Sequence, residues 1–438
     1  MPPAPLPLSD SSSRTTDSPI SFYVQKALEN PDLISLAAGL VDEPSLPCAE
    51  VAEAVAAILG DPATGRAALQ YGSTQGLPSL RQKCLDIVCE ADGASPADIG
   101  LSADCVAITT GSQQLLYLLG EALFNPGDIV ITEAPSYFVY HSLLQSKGAR
   151  VFTVPMDDGG MMMDALEALL TRLEAEGELP RVKLIYTVDY FQNPTGLTLA
   201  EDRRPRLVQL AKRFSKRHRI IILEDAAYRE VRFRGNDIRS VKSFDDRNEH
   251  VVYASTFSKP LSPGLKTGYA LLPRDLVDPM MNLKGSHDFG STNLAQHVID
   301  RVIAIGTYRK HVSKLRALYR EKCELMTSCL EREFADWPEV TWTTPAGGLF
   351  LWLKFPEGFE TGPSGSMSDA AVAAGVLCVP GEFSHVPDER GHVPKNELRL
   401  CFGVVEPKQI PVAIARLRAA CRGLEPTSKP LVRESCLV

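Results

Sequence analysis

The sequence predicts an α/β protein: a large domain built on a mostly parallel central sheet, joined to a smaller α+β domain. Three observations predict it. Between Val106 and Ala254, apolar runs alternate with helical segments, the pattern of a parallel sheet covered on both faces. Beyond Val340 the apolar runs become short and the helices sparse. The chain has 438 residues, and a single core rarely grows past about 250–300, so two domains are expected.

Residues 1–19 are rich in Pro, Ser and Thr and read as a flexible arm. The stretch 20–60 is expected to contribute to the small domain, with helices over Ser21–Glu29 and Ala49–Leu59 and a glycine turn at Gly39. The large domain is expected over 61–320. Leu77–Ala91 has an amphipathic helix pattern. Strands then follow at 106–110, 128–132, 150–154, 182–188, 220–223 and 251–254. The helices between them are expected at Leu115–Phe124, Tyr137–Lys147, Ala165–Glu176 and Thr198–Lys216, the last opening on a Thr198–Glu201 capping box. A long helical region runs from Asn293 to Phe334. The C-terminal small domain is expected over 321–424, with short strands at 340–342, 349–355, 376–379 and 398–401 and helices at 370–374 and 410–421. Residues 425–438 read as a frayed tail.

Composition limits the function. The chain is 44% hydrophobic and 23% charged, as in a soluble globular protein. A net charge of −8 argues against a nucleic-acid surface. The ten cysteines include no CxxC pair, which fits a reduced, cytoplasmic protein without a zinc site. No apolar run spans a bilayer, and the N-terminus lacks a signal-peptide pattern.

Four polar clusters follow predicted strands, at the edge where parallel sheets bind ligands. Gly111-Ser112-Gln113 opens a helix and offers free N–H groups to an anion, although many helices begin this way. Gln192-Asn193-Pro194-Thr195-Gly196 is a turn that presents an amide, or an ordinary Asn-Pro turn. Glu224-Asp225 with Tyr228 offers an acid to a cationic ring nitrogen and a hydroxyl to the same ligand; a metal or a helix cap is the alternative. Ser255, Thr256 and Ser258 surround Lys259, with Lys266 beyond a Pro263-Gly264 turn. This is an amine able to form a Schiff base beside groups able to hold an anion, or a solvated surface lysine. An aldehyde, an anion, a basic ring nitrogen and a ring hydroxyl together describe pyridoxal phosphate (PLP).

In these clusters, and in Asn396-Glu397-Leu398-Arg399-Leu400, the chain resembles the fold-type I PLP-dependent aminotransferases of class I/II. The branch it resembles most contains 2-aminoadipate and kynurenine aminotransferases, and the resemblance spans about residues 20–422. It implies Lys259 as the Schiff-base lysine and general acid/base, and Asp225 as the partner of the pyridinium nitrogen. Asn193 and Tyr228 are implied at the ring oxygen, and Tyr137 stacked on the ring. Ser112, Gln113, Thr256, Ser258 and Lys266 are implied around the phosphate. Arg399 is implied as the clamp on the substrate α-carboxylate, with Gly39 and Asn193 beside the substrate. A homodimer is implied, with Tyr71 reaching the neighbouring subunit's phosphate. No metal is implied.

Two departures stand out. Lys266 occupies a usual arginine position, and Ala226-Ala227 precede Tyr228 where Asp-Pro is common. The implied reaction moves an amino group from an aromatic, branched-chain or 2-aminoadipate-like L-amino acid to a 2-oxoacid, with 2-oxoglutarate favoured. Another PLP enzyme on this fold, a lyase or amino-acid synthase, would need the same cofactor residues. A DNA-reading regulator fused to such a domain would need a helix-turn-helix, and no such motif is present in the N-terminal residues. For the substrate side chain, Arg14 offers a second cation, or Phe22, Tyr140 and Phe350 an apolar pocket.

Overall fold

The computed structural model describes residues 6–15, 29–30, 32–362, 366–388 and 390–424. Its strands are β1 Ile34–Ser35, β2 Val106–Thr109, β3 Ile129–Ala134, β4 Arg150–Asp157, β5 Gly160–Met161, β6 Val182–Thr187 and β7 Ile221–Asp225. They continue with β8 Val251–Thr256, β9 Gly268–Leu271, β10 Thr341–Trp342, β11 Phe350–Lys354, β12 Val376–Leu377, β13 Val379–Pro380 and β14 Glu397–Cys401.

Eight strands form one sheet in the order β2-β9-β8-β7-β6-β3-β4-β5. The pairs from β8 to β4 are parallel, whereas β9 runs antiparallel to β2 and β8, and β5 to β4. Every residue of β2, β7, β8 and β9 is buried, which explains their apolar runs; the polar residues among them, such as Glu224, Asp225, Ser255 and Thr256, stand toward the carboxyl ends of β7 and β8. One apolar layer packs β3, β6 and β7 against the helices Met163–Ala175 and Arg203–Phe214, through Ile131, Ile185 and Ile222 on the sheet and Leu166, Leu170 and Leu207 on the helices. The other face joins a larger core that continues to β11 and β14.

A second, antiparallel sheet has the order β10-β11-β14-β13. The predicted strand at 376–379 is divided. Val376 and Leu377 pair in parallel with Ile34 and Ser35, while Val379 and Pro380 pair with β14. The long helical region is also two helices, Asn293–Ala304 and Thr307–Glu333, interrupted where Gly306 takes a φ of 76°. The second helix ties the N-terminal segment down: Lys322 Nζ lies 2.6 Å from Asp42 Oδ1 and 2.8 Å from the Gly403 carbonyl.

One expected helix begins late. Thr198–Glu201 is not a capping box, and the helix spans Arg203–Phe214. The backbone before it bonds elsewhere, Leu199 N to Asp189 O and Ala200 N to Gly159 O, and the buried Arg204 takes the Leu199 carbonyl. The helix Arg274–His287 was not anticipated. Part of the N-terminal arm is also ordered. Asp10–Arg14 is a helical turn, and Arg14 Nε donates to Ser146 O at 3.2 Å. Ser21–Glu29 and the tail from 425 fall almost wholly outside the described residues. Among the described residues no helix is long and apolar enough to cross a membrane.

Candidate active site

The carboxyl ends of β2, β3, β6, β7 and β8 converge on a cavity of about 310 Å³. Lys259 follows β8 and projects into it, its Nζ donating to the Gly39 carbonyl at 2.9 Å. Burial, with the positive charges of Arg399 and Lys266, pushes this amine down to about 8, so roughly a tenth of it is free base at pH 7, far more than for an ordinary lysine. Gly39 belongs to a segment anchored by Leu36, whose N–H bonds Leu377 O and whose carbonyl accepts from Cys401 N. The N-terminal chain thus roofs a pocket whose floor lies more than 200 residues away in sequence.

Strand alternation separates the two acids at the end of β7. Glu224 turns away from the cavity and accepts the N–H groups of Val241 and Lys242 at 2.8 and 2.7 Å. Asp225 turns into the cavity. Its Oδ2 accepts the Tyr186 hydroxyl at 3.0 Å and its Oδ1 the Ala227 N–H at 3.2 Å. Burial pushes its carboxyl up to about 6 despite these donors.

At the opposite end lie Gly111, Ser112 and Gln113, the first residues of the helix Gly111–Leu123. This helix end can sit on the sheet only because β9 begins with glycine: a Cβ at Gly268 would stand 2.7 Å from Ser112 N. Thr256, Ser258 and Lys266 complete this side. Thr256 Oγ1 donates to Ser258 Oγ at 2.9 Å, and Lys266 holds a left-handed backbone, φ 46°, as it closes the Pro263–Leu265 turn.

The third wall is Arg399. Its Nη1 donates to Asn193 Oδ1 at 2.9 Å and its Nη2 to Ala37 O at 2.6 Å, while the buried Nε has no partner among the described residues. The guanidinium lies 4.6 Å from the Phe350 ring and burial holds it below its ordinary pKa. An arginine on an apolar strand held only by neutral groups has the charge and the free donor to receive a carboxylate. Tyr137 and Tyr228 also line the cavity, and burial pushes the Tyr137 phenol up to about 12.

These residues fit PLP. An amine faces the cavity's interior, a carboxylate marks one side, and N–H groups, hydroxyls and a lysine gather at the other. The unpartnered Nε of Arg399 is an open donor for a substrate. The structure brings together Lys259, Asp225, Tyr228, Asn193, Ser112, Gln113, Tyr137, Thr256, Ser258, Lys266, Gly39 and Arg399.

It does not bring Tyr71 to this cavity. Tyr71 is 80% exposed and packs edge-on against Phe289 at 5.4 Å. Tyr140 is no pocket wall either: it is buried under the sheet edge with its ring 4.3 Å from Tyr186. Arg14 is engaged at Ser146, and Phe22 falls outside the described residues. Sequence reasoning passed over Tyr186 and the Glu133–Gln192 pair. Glu133 accepts from Thr187 Oγ1 and Gln192 Nε2, each at 2.6 Å, and so holds the loop that carries Asn193. A glutamate inside an apolar strand was the available signal for Glu133, whereas Tyr186 left none, since aromatics are ordinary in strands.

Residues 31–417 match the family model for aminotransferase class I and II. The chain is 36% identical over 394 residues to an aromatic-amino-acid aminotransferase of Thermococcus litoralis, covering 90% of this chain and 88% of the relative. It is 33% identical over 405 residues to a 2-aminoadipate transaminase of Thermus thermophilus, covering 91% and 92%. Its fold superposes with a TM-score of 0.85 on a kynurenine aminotransferase of Pyrococcus horikoshii crystallised with PMP, at 33% identity over 94% of this chain and 96% of that one. Sequence, fold and pocket agree, and the chain belongs to the class I and II aminotransferases, enzymes that work through pyridoxal phosphate.

Proposed function

We propose that the amino donor is an L-amino acid with a large apolar side chain, aromatic or branched, and that the acceptor is a 2-oxoacid, 2-oxoglutarate being the first to test. The observation that carries this is the lining of the cavity. Its outer wall is Ala38, Leu40, Phe138 and Val139, and its cations among the described residues are Lys259, Lys266 and Arg399. Each of these has another task, so none is left for a side-chain carboxylate. When bound, PLP supplies a ring that withdraws electrons from the substrate's Cα.

The chain's residues do the rest. Arg399 binds the α-carboxylate through its fork and thereby aims the Cα–H bond. Lys259, whose lowered pKa brings its free-base form within reach of neutral pH, would act as the acid/base group at the substrate's Cα. With PLP bound, Asp225 would hold the proton on the ring nitrogen, Asn193 and Tyr228 would donate to the ring oxygen, and Tyr137 would cover the ring. The N-terminal amides at Ser112 and Gln113 contribute about 0.3–1 kcal/mol to phosphate binding, so Thr256, Ser258 and Lys266 are needed beside them.

The reading extends to organisation. Residues 61–320 act as the cofactor-binding domain and 321–424, with 20–60, as the smaller one. The working unit is a cytoplasmic homodimer, without nucleic acid, in which Tyr71 of one subunit completes the phosphate site of the other. The exposure of Tyr71 and Phe289, 80% and 58%, supports such an interface.

The test is a donor screen on the PLP-loaded protein, with 2-oxoglutarate and pyruvate as acceptors and the keto product measured. Phenylalanine, tyrosine or leucine should exceed aspartate at least about tenfold in kcat/KM, a difference of about 1.4 kcal/mol, while glutamate is the amino form of 2-oxoglutarate and is scored with pyruvate alone. Preference for acidic donors overturns the apolar reading. Release of ammonia in place of a 2-oxoacid overturns transamination. Lys259→Ala should abolish turnover.

A further inference from the structure

Asp225 is held by a residue outside every motif in the sequence. Tyr186 lies on β6, beside β7, and its register partner is Leu223, two residues before Asp225 on the same face. Its hydroxyl donates to Asp225 Oδ2 at 3.0 Å. The ring is fully buried and lies 4.3 Å from that of Tyr140, at 43°, which fixes the direction of the hydroxyl.

We propose that Tyr186 is a positioning residue: its O–H···Oδ2 bond orients the Asp225 carboxylate toward the cofactor's ring nitrogen and keeps it anionic. This rests on the role of Asp225 given above. A hydrogen-bond donor favours the charged form of a carboxylate, and a ring N–H needs an anion opposite it. The balance is close. Burial raises the Asp225 carboxyl to about 6, and the Tyr186 hydroxyl is the largest influence holding it there, ahead of the Ala227 N–H. The other groups facing it are few. Asp189 pushes it up and Lys259 pulls it down. The phenols of Tyr137, Tyr140 and Tyr228 also lie within its field. Burial and the charge of Asp225 hold the Tyr186 phenol well above its ordinary pKa, so it stays a donor throughout the working range.

Tyr186→Phe removes the hydroxyl and keeps the ring. Two measurements test it. The first is the Asp225 pKa in the cofactor-free protein, from difference infrared spectra of 13C-aspartate-labelled protein assigned with Asp225→Asn. Tyr186→Phe should raise that pKa by about one unit or more. An unchanged value overturns the proposal. The second is PLP affinity against pH. For a one-unit rise the defect approaches about tenfold below pH 6 and fades by pH 9, because the carboxyl ionises again. A defect equal at all pH values means lost packing and also overturns it. Tyr140→Phe is the control: its hydroxyl has no partner, so the Asp225 pKa should stay where it is, and a shift as large as that of Tyr186→Phe would assign the effect to the ring layer instead. If Asp225→Asn binds PLP as well as the wild type does, the role of Asp225 falls, and this proposal falls with it.

Discussion

Two groups of buried charges lie back to back across β7, and they are solved differently. Behind the strand, Arg204 pairs with Asp189 and lies 3.8 Å from Glu224, every one of these side chains being fully buried. Arg229 Nη2 meets Asp92 at 2.6 Å nearby. In front of the strand, Arg399 is also buried and Lys259 is half-buried, yet among the described residues they touch carbonyl and amide oxygens and no carboxylate. A buried cation without an anion is costly, and chains rarely tolerate it without cause. The paired group supports the fold. The unpaired group fits the proposed roles, Arg399 toward a substrate carboxylate and Lys259 toward a carbonyl carbon.

Removing a member should therefore have opposite consequences on the two sides. Arg204→Ala leaves Asp189 and Glu224 buried without their cation and should cost roughly 3–5 kcal/mol of stability, read as a lower urea midpoint. Arg399→Ala should leave that midpoint nearly in place and reduce kcat/KM for every amino-acid donor by about 30- to several-thousand-fold, the equivalent of roughly 2–5 kcal/mol, with PLP still bound. If Arg399→Ala unfolds the protein as readily as Arg204→Ala does, the distinction between the two groups is broken.

Glu133 sharpens the contrast, being an acid satisfied by neutral donors alone, Thr187, Gln192 and the Val188 N–H. Burial raises its carboxyl from 4.5 to about 7. A raised folded-state pKa means stability that is fully present below 4.5 and lost as pH rises toward 7. The loss is about 3 kcal/mol at most. Glu133→Gln should flatten the fall in stability across that window, measured by urea unfolding at pH 4.5 and 7.5. An unchanged slope would mean that Glu133 ionises freely in place.

How far the sequence revealed this arrangement depends on what kind of signal each residue leaves. Lys259, Asp225, Asn193 and Arg399 were legible because each interrupts or ends an apolar run, and strand ends in a parallel sheet share one edge. That Asp225 and not Glu224 faces the cavity follows from alternation alone, once one face is known. Tyr186 was not legible. A tyrosine inside Val182–Thr187 looks like any strand aromatic until β7 lies beside it. The late start of the helix at Arg203 was hidden for a similar reason. Thr198–Glu201 has a good local cap, but distant carbonyls at Asp189 and Gly159 claim its N–H groups. Local propensity lost to contacts that only the folded chain contains.

The roof of the pocket also sets a timetable. Arg399 and the Ala37 carbonyl that it grips are separated by 362 residues. The segment around Ala37 finds its other partners equally late, in Leu377 and Cys401. At about 5–20 residues per second, a ribosome needs roughly 20–70 s to make the intervening chain. The eight-stranded sheet is complete by Leu271 and can close while translation continues. Throughout that interval the segment around Ala37 lacks the partners that hold it, although Arg14 can already reach Ser146, and the lysine lies in an open cleft. The roof over Lys259 therefore forms only after Leu377, Arg399 and Cys401 have been made, long after the sheet beneath it.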